Sequence, residues 1–233
     1  PAPDEFIRRI TGKIIKAINR HGKYLLLTLT HGEFLVIHLK MTGALITGNS
    51  ELPKHTRAII HLDNGQNIYF RDPRKFGVLK LIKDPSEIYH KLGPEPLEDE
   101  FTPAVLTTRL KGRKAPIKAV LLDQKFLAGV GNMYADEALY AARIHPEKTA
   151  AALTKTEIKK LYDAIRQVLR DGLANKGASI VNYQRPDGSA GTAHLQFKVA
   201  HAMQKTCGIC GGEVKRIVVR GRGTYFCPVC QKK

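Results

Sequence analysis

Cysteine is scarce in this chain: 233 residues contain four, all beyond residue 206, and tryptophan is absent. With none in the first 206 positions, no disulfide framework holds the molecule together, and a chain of this length buries enough surface not to need one. Long apolar runs are missing as well. A stretch such as Phe34 to Leu39 falls far short of the roughly twenty residues that cross a bilayer. The first residues also lack the charged segment and apolar core of a secretory signal. Acidic side chains are in deficit, 21 against 38 Lys and Arg, which leaves a net charge of +17. The 43% hydrophobic content excludes disorder throughout and gives one or two globular domains under a strongly basic exterior.

The positive charge is spread along the chain. Arg8, Arg9, Lys13, Lys16, Arg20 and Lys23 are followed by Arg109, Lys111, Arg113, Lys114 and Lys118, then by Lys215, Arg216, Arg220 and Arg222. A tail would serve solubility, whereas this distribution favours a folded surface shaped for phosphates. Charge alone does not separate DNA from RNA.

Residues 23 to 82 read as strands joined by tight turns. Tyr24 to Leu29 and Glu33 to Leu39 flank Thr30-His31-Gly32, and Arg57 to Leu62 and Gln66 to Phe70 flank Asp63-Asn64-Gly65. Asn-Gly there suits a type I′ turn. Phe76 to Ile82 adds a strand, and a β-sandwich or partly open barrel follows. The prolines of Leu92-Gly93-Pro94-Glu95-Pro96-Leu97 interrupt regular structure, which places a domain boundary after residue 97. Helical periods take over at Thr102 to Leu110, Pro116 to Gln124 and Asn132 to Ala142. The longest helix begins at the capping-box pattern Thr154-Lys155-Thr156-Glu157 and stops at Lys176-Gly177. Residues 178 to 195 read as a loop. The expected domains are thus 1–97, 98–195 and 196–233.

All four cysteines fall in the tail, as Cys207-x2-Cys210, sixteen residues, then Cys227-x2-Cys230. Two disulfides or four free thiols are the alternatives, but paired two-residue spacing matches a tetrahedral zinc site on two turns. Four thiolates leave no position for substrate, so one Zn2+ is expected, in a structural role. Between the pairs, Val218 to Thr224 carries Arg220 and Arg222 among glycines, as a hairpin presenting arginine to phosphate would.

Seven segments, in order, resemble bacterial formamidopyrimidine-DNA glycosylase. They are His21-Gly22-Lys23-Tyr24-Leu25-Leu26, His38-Leu39-Lys40-Met41-Thr42-Gly43, Arg71-Asp72-Pro73-Arg74-Lys75-Phe76-Gly77, Leu92 to Leu97, Leu121 to Gln124, Gly129 to Glu137, and the arginine-bearing finger. The resemblance spans residues 6 to 230. It implies an α+β multidomain protein: an N-terminal β-sandwich, a helix–two-turn–helix domain and a C-terminal zinc-finger hairpin, with DNA between the domains. It further implies excision of oxidised purines such as 8-oxoguanine and formamidopyrimidines, followed by β- and δ-elimination at the abasic site. A base inside a duplex must be flipped out for this chemistry and the hole filled.

By the same resemblance, Met41, Arg74 and Phe76 fill the void, Lys23 donates a proton in β-elimination, and Arg222 grips phosphate and assists δ-elimination. Arg222 stays protonated, so electrostatic stabilisation is the favoured form of its help. His55, Arg74 and Lys114 match DNA contacts, and Lys118 and Asn132 match positions near phosphates. The implied partner is double-stranded DNA holding oxidised bases or abasic sites, with no membrane, and the protein is expected as a monomer in the cytoplasm beside the chromosome.

Two departures stand out. The family attacks with an N-terminal proline followed by glutamate and a helix. Here Pro1 precedes Ala2-Pro3-Asp4, and Phe6 to Lys13 aligns with an internal stretch of the family, so Pro1 is not expected to be the nucleophile and the catalytic N-terminal segment is expected to be missing from these residues. Val199-Ala200-His201-Ala202 stands where the family carries tyrosine-glycine-arginine, which bears on how the finger packs. A silent binder of damaged DNA, the endonuclease VIII branch and an RNA-associated zinc-ribbon protein remain as alternatives. Of these, the last does not explain Met41, Arg74 and Phe76.

Overall fold

A computed structural model describes every residue except 1, 50, 181, 182 and 203. The chain forms two compact units, one of residues 1–90 with 176–191, the other of 91–175 with 192–233.

In the first unit, alternation along β2 (Tyr24–Leu29) turns Leu25, Leu27 and Leu29 to one face, where Leu27 and Leu29 are buried with Leu35, Ile37, Phe70 and Leu81. Strands β1 (Ile15–His21), β2, β3 (Phe34–His38) and β7 (Val78–Ile82) form one antiparallel sheet in the order β1-β2-β3-β7. Strands β4 (Ala44–Gly48), β5 (Thr56–His61) and β6 (Asn67–Arg71) form a second, in the order β4-β6-β5. The shared core makes this the β-sandwich expected from the sequence.

Three local readings change. Helix α1 (Pro3–Ile10) occupies the start of the chain, where none was expected; Pro3 opens it, Asp4 and Glu5 sit in its first turn, and Arg8 and Arg9 in its last. Its Phe6 and Ile10 pack on the sandwich core, and Arg9 pairs with Glu33 at 2.6 Å. In the second, Gly65 alone in its turn has positive φ (78°), and its amide donates to Leu62 O at 3.1 Å. That is a type I turn closed by a left-handed glycine, the three-residue alternative to type I′. The third concerns Phe76, which lies outside β7.

A short helix α2 (Ser86–Tyr89) ends this unit's main segment. The stretch 183–191 joins the same unit: Thr47 N donates to Pro186 O at 2.8 Å and Arg71 Nη1 to Gln184 Oε1 at 3.1 Å.

The second unit is helical, with α3 (Pro103–Leu110), α4 (Ile117–Leu122), α5 (Asn132–Ala141) and α6 (Lys155–Ala174). Leu106, Leu121, Leu127, Leu139 and Leu161 are fully buried in its core. Thr154 and Glu157 complete the capping box of α6, each bonding the other's backbone amide. Residues 92–97, expected to bound the domains, belong to this unit's packing: Gly93 N donates to Gln124 O at 2.8 Å and Ala128 N to Pro94 O at 3.0 Å. Strands β8 (Lys215–Val219) and β9 (Arg222–Phe226) form the finger hairpin, joined by Arg220 (φ 47°) and Gly221 (φ 76°), both left-handed as a type I′ turn requires. Among the described residues, no helix is long and apolar enough to cross a membrane.

Candidate nucleic-acid interface

Two loops of the sandwich unit carry the residues assigned to void filling. Met41 follows β3 on one loop and is 60% exposed; Arg74 and Phe76 lie on the loop after β6, and Phe76 is 54% exposed. The three side chains meet. Arg74 stands over the Phe76 ring at 5.0 Å, and its Nη1 lies 3.5 Å from Met41 Sδ. Beneath them Asp72, 1% exposed, accepts hydrogen bonds from the Thr42 hydroxyl at 2.5 Å and from the amides of Arg74 at 3.2 Å and Gly77 at 2.7 Å. Burial alone would raise this carboxyl's pKa, but those donors and the Phe76 amide hold it below the usual range. A Cβ on Gly77 would strike the Phe70 ring and the Asp72 carboxylate, so only glycine closes the loop.

Lys23 and His55 occupy exposed turns of the same unit. Lys23 follows Gly22 (φ 55°) in the two-residue connection between β1 and β2. His55 (φ 70°) uses its carbonyl to accept the Asp72 amide at 3.0 Å, which leaves its ring at the surface. His38, to which the sequence reading gave no role, ends β3 opposite Tyr24, with the two rings edge to face at 4.4 Å. Burial, then the charges of Lys40 and Lys23, push its pKa down to about 4. At neutral pH the ring is therefore uncharged. Its Nδ1 accepts the Lys40 amide at 2.9 Å, so Nε2 carries the proton and is a hydrogen-bond donor.

In the helical unit the finger hairpin is held by a buried ion pair. Lys118 is 0% and Asp136 1% exposed, and Lys118 Nζ lies 2.6 Å from Asp136 Oδ1. Lys118 also donates to Gly223 O at 3.0 Å and Thr224 Oγ1 at 2.7 Å, Asn132 Nδ2 donates to Gly223 O at 3.0 Å, and the Tyr225 amide donates to Asp136 Oδ2 at 3.2 Å. The Lys118 ammonium, expected near phosphate, is enclosed here and bonded to the hairpin next to Arg222 and to Asp136. Burial lowers its pKa and raises that of Asp136. Asn132 likewise turns its side chain inward. What it offers an anion is its backbone N–H on the first turn of α5, which Gly131 leaves without a side-chain cap. Arg222 and Lys114 are exposed.

The sulfurs of Cys207, Cys210, Cys227 and Cys230 all lie within 4.8 Å of one another, with 3.8 Å between Cys207 and Cys230 and 3.5 Å between Cys210 and Cys227. Tetrahedral zinc with Zn–S bonds of about 2.3 Å sets sulfurs about 3.8 Å apart, so the cluster fits one structural zinc. The amides of Ile209 and Gly212 point at Cys207 and Cys210 sulfurs, both at 3.4 Å, and the Tyr140 hydroxyl lies 3.2 Å from Cys207 Sγ. Glu137, 5% exposed, accepts the amides of Lys198, Val199 and Ala200, which anchors the departing Val199 to Ala202 stretch through backbone.

A two-sheet sandwich, a helical unit with an uncapped helix start at a glycine turn, and a four-cysteine hairpin bearing arginine define a nucleic-acid-binding protein of the helix–two-turn–helix class with a zinc finger. Family models agree: the formamidopyrimidine-DNA glycosylase N-terminal domain matches residues 1–79, the H2TH domain of that glycosylase matches 92–184, and the zinc finger found in FPG and IleRS matches 204–233. The chain is 45% identical to the formamidopyrimidine-DNA glycosylase of Chloroflexus aurantiacus over 237 residues, covering 99% of this chain and 84% of that one. It is similar to the solved MutM (Fpg) protein of Thermus thermophilus, with a TM-score of 0.88, 41% identity, and 95% and 84% of the two chains covered. It also resembles the Lactococcus lactis Fpg solved with abasic-site DNA, with a TM-score of 0.91, 35% identity, and 99% and 86% covered. The chain belongs to the formamidopyrimidine-DNA glycosylase family.

Two predictions follow from the geometry. Asp136→Ala leaves the Lys118 ammonium buried without its counter-charge and should cost about 3–5 kcal/mol in urea unfolding, whereas Lys118→Met with Asp136→Leu should recover most of that loss. The lowered His38 pKa favours the neutral ring in the folded state, so its contribution is fully present above pH 6.5 and is lost as pH falls toward 4. Imidazole nitrogen shifts should report a neutral ring at pH 6, and His38→Ala should lose less stability than the native chain between pH 6.5 and 4.

Proposed function

We propose that this protein is a DNA-repair glycosylase that removes oxidised purines, formamidopyrimidines and 8-oxoguanine among them, and then cleaves the abasic strand as a lyase. The observation that carries the reading is the shared exposure of Met41 and Phe76. Two large apolar side chains held out in solvent beside an arginine, over a fully hydrogen-bonded buried carboxylate, are poorly explained as core and well suited to insertion between base pairs. Kinship supports the substrate: relatives carry the formamidopyrimidine name, and Lactococcus lactis complexes hold abasic-site and Fapy-dG DNA.

In this mechanism the basic surface gathers duplex DNA through its phosphates. Met41 enters the stack as the damaged nucleotide leaves it, Phe76 supports the neighbouring pair, and Arg74 offers its donor fork to the orphaned base. Neutral His38 and the exposed Arg222 and Lys114 hold phosphate oxygens, joined by the amides at the start of α5. Lys23 returns a proton during β-elimination, and Arg222 stabilises the charge on the leaving phosphate. Zinc, bound by the four cysteines, fixes the finger that presents Arg222. Such a protein works in the reducing interior beside the chromosome.

Pro1 is not the attacking amine in this reading, since Ala2-Pro3-Asp4 replaces the glutamate that follows the family's nucleophile. The test has two parts. Protein purified from its source, with its N-terminus read by mass spectrometry, should nick a duplex at 8-oxoguanine paired with cytosine. The polypeptide of residues 1–233 should bind abasic-site duplex more tightly than intact duplex, yet give no borohydride-trapped adduct at Pro1. Equal affinity for both duplexes would remove the damage-recognition reading, and a Pro1 adduct would overturn its assignment.

A further inference from the structure

The void-filling side chains come from two loops separated by some thirty residues, 39–43 and 72–77, the first closed on itself by the Gly43 amide donating to Leu39 O at 2.9 Å. Each contains a lysine in the left-handed region, Lys40 (φ 54°) and Lys75 (φ 60°), a conformation a lysine does not adopt by default. Asp72 spans the two loops. Its Oδ1 accepts from the Thr42 hydroxyl of the first loop and the Arg74 amide of the second, and its Oδ2 accepts from the Gly77 amide, so the hydrogen bonds bracket strained Lys75. The backbone around Asp72 is clamped in turn: its amide donates to His55 O, and Arg57 Nε donates to Asp72 O at 2.8 Å. Above this hub, Arg74, Phe76 and Met41 form one cluster.

We propose that Asp72 is a positioning residue that sets discrimination for the base opposite the lesion. It never reaches DNA; by tying Thr42 to the amides of Arg74 and Gly77, it makes three side chains from two loops a single preformed insert. Arg74 can tell one orphaned base from another only while its donors stand at a fixed place. Phosphate contacts elsewhere are indifferent to that placement. The inference rests on the damage-recognition reading above and deepens it.

The experiment measures Kd for duplexes holding a tetrahydrofuran abasic analogue opposite each of the four bases, together with intact duplex, across a salt series. In Asp72→Asn one acceptor becomes an NH2 that must face an N–H or the Thr42 hydroxyl, so the hub cannot satisfy all its donors. Native protein should prefer one opposite base by about tenfold or more, the size of a well-placed arginine–base contact. Asp72→Asn should compress that preference to within about threefold, while affinity for intact duplex and the salt slope stay unchanged, as expected for phosphate contacts left in place. Thr42→Val, which removes one donor and keeps the carboxylate, should show an intermediate loss and covers the case in which Asp72→Asn does not fold. Retained discrimination in both variants overturns the proposal. So does a parallel loss of affinity for every duplex with a changed salt slope, the mark of a merely structural role. If native protein prefers abasic over intact duplex but does not discriminate the opposite base, this inference alone fails; if it shows no preference for abasic duplex, the damage-recognition reading fails and takes the inference with it.

Discussion

A loop that must present apolar side chains to water cannot be held in place by burying them. One solution recurs in both units of this protein: a buried carboxylate accepts main-chain amides of a neighbouring segment. Asp72 does so for the Arg74 to Gly77 loop, Asp136 for the Tyr225 amide of the finger hairpin, and Glu137 for the amides of residues 198–200. Charge-assisted bonds to main-chain N–H groups are strong and strongly directional. Above Asp72 they leave Met41 and Phe76 free to face solvent.

The finger shows what such an arrangement requires. A two-stranded hairpin of ten strand residues has too little core to stand alone, and zinc at four cysteines supplies one anchor. The second anchor is Lys118, whose ammonium reaches Gly223 O and Thr224 Oγ1 while paired to Asp136. A buried ion pair contributes little net stability compared with apolar packing. Its value here is geometric, since it fixes the strand on which Arg222 sits relative to the helix start at Asn132.

Periodicity and turn chemistry made most of the fold legible. The strands at 24–29 and 34–38 follow from alternation, α6 from its capping box and 3.6-residue spacing, and the zinc site from paired cysteines. Helix α1 buries no residue fully, and its sequence signal is confined to the Pro3 start with Asp4 and Glu5 in the first turn. The burial of Lys118 was hidden for a different reason. Matching a residue to a position near phosphate carries its location, and burial is a property of the three-dimensional neighbourhood that a single chain does not spell out. Asp72, Asp136 and His38 left no signal of their own. A buried carboxylate is recognised by what donates to it, and its donors here lie as far apart as Thr42 and Gly77, or Lys118 and Tyr225.

The same logic accounts for the segment that departs most from the family. Val199-Ala200-His201-Ala202 supplies none of the tyrosine-glycine-arginine side chains, yet it is pinned beside the finger. Glu137 binds it through the amides of residues 198–200, and an amide is present whatever the side chain. Val199 and Ala200 are fully buried, so small apolar residues satisfy the packing while the carboxylate satisfies the backbone. A segment whose fixed points are main-chain N–H groups can change its side chains without changing its shape.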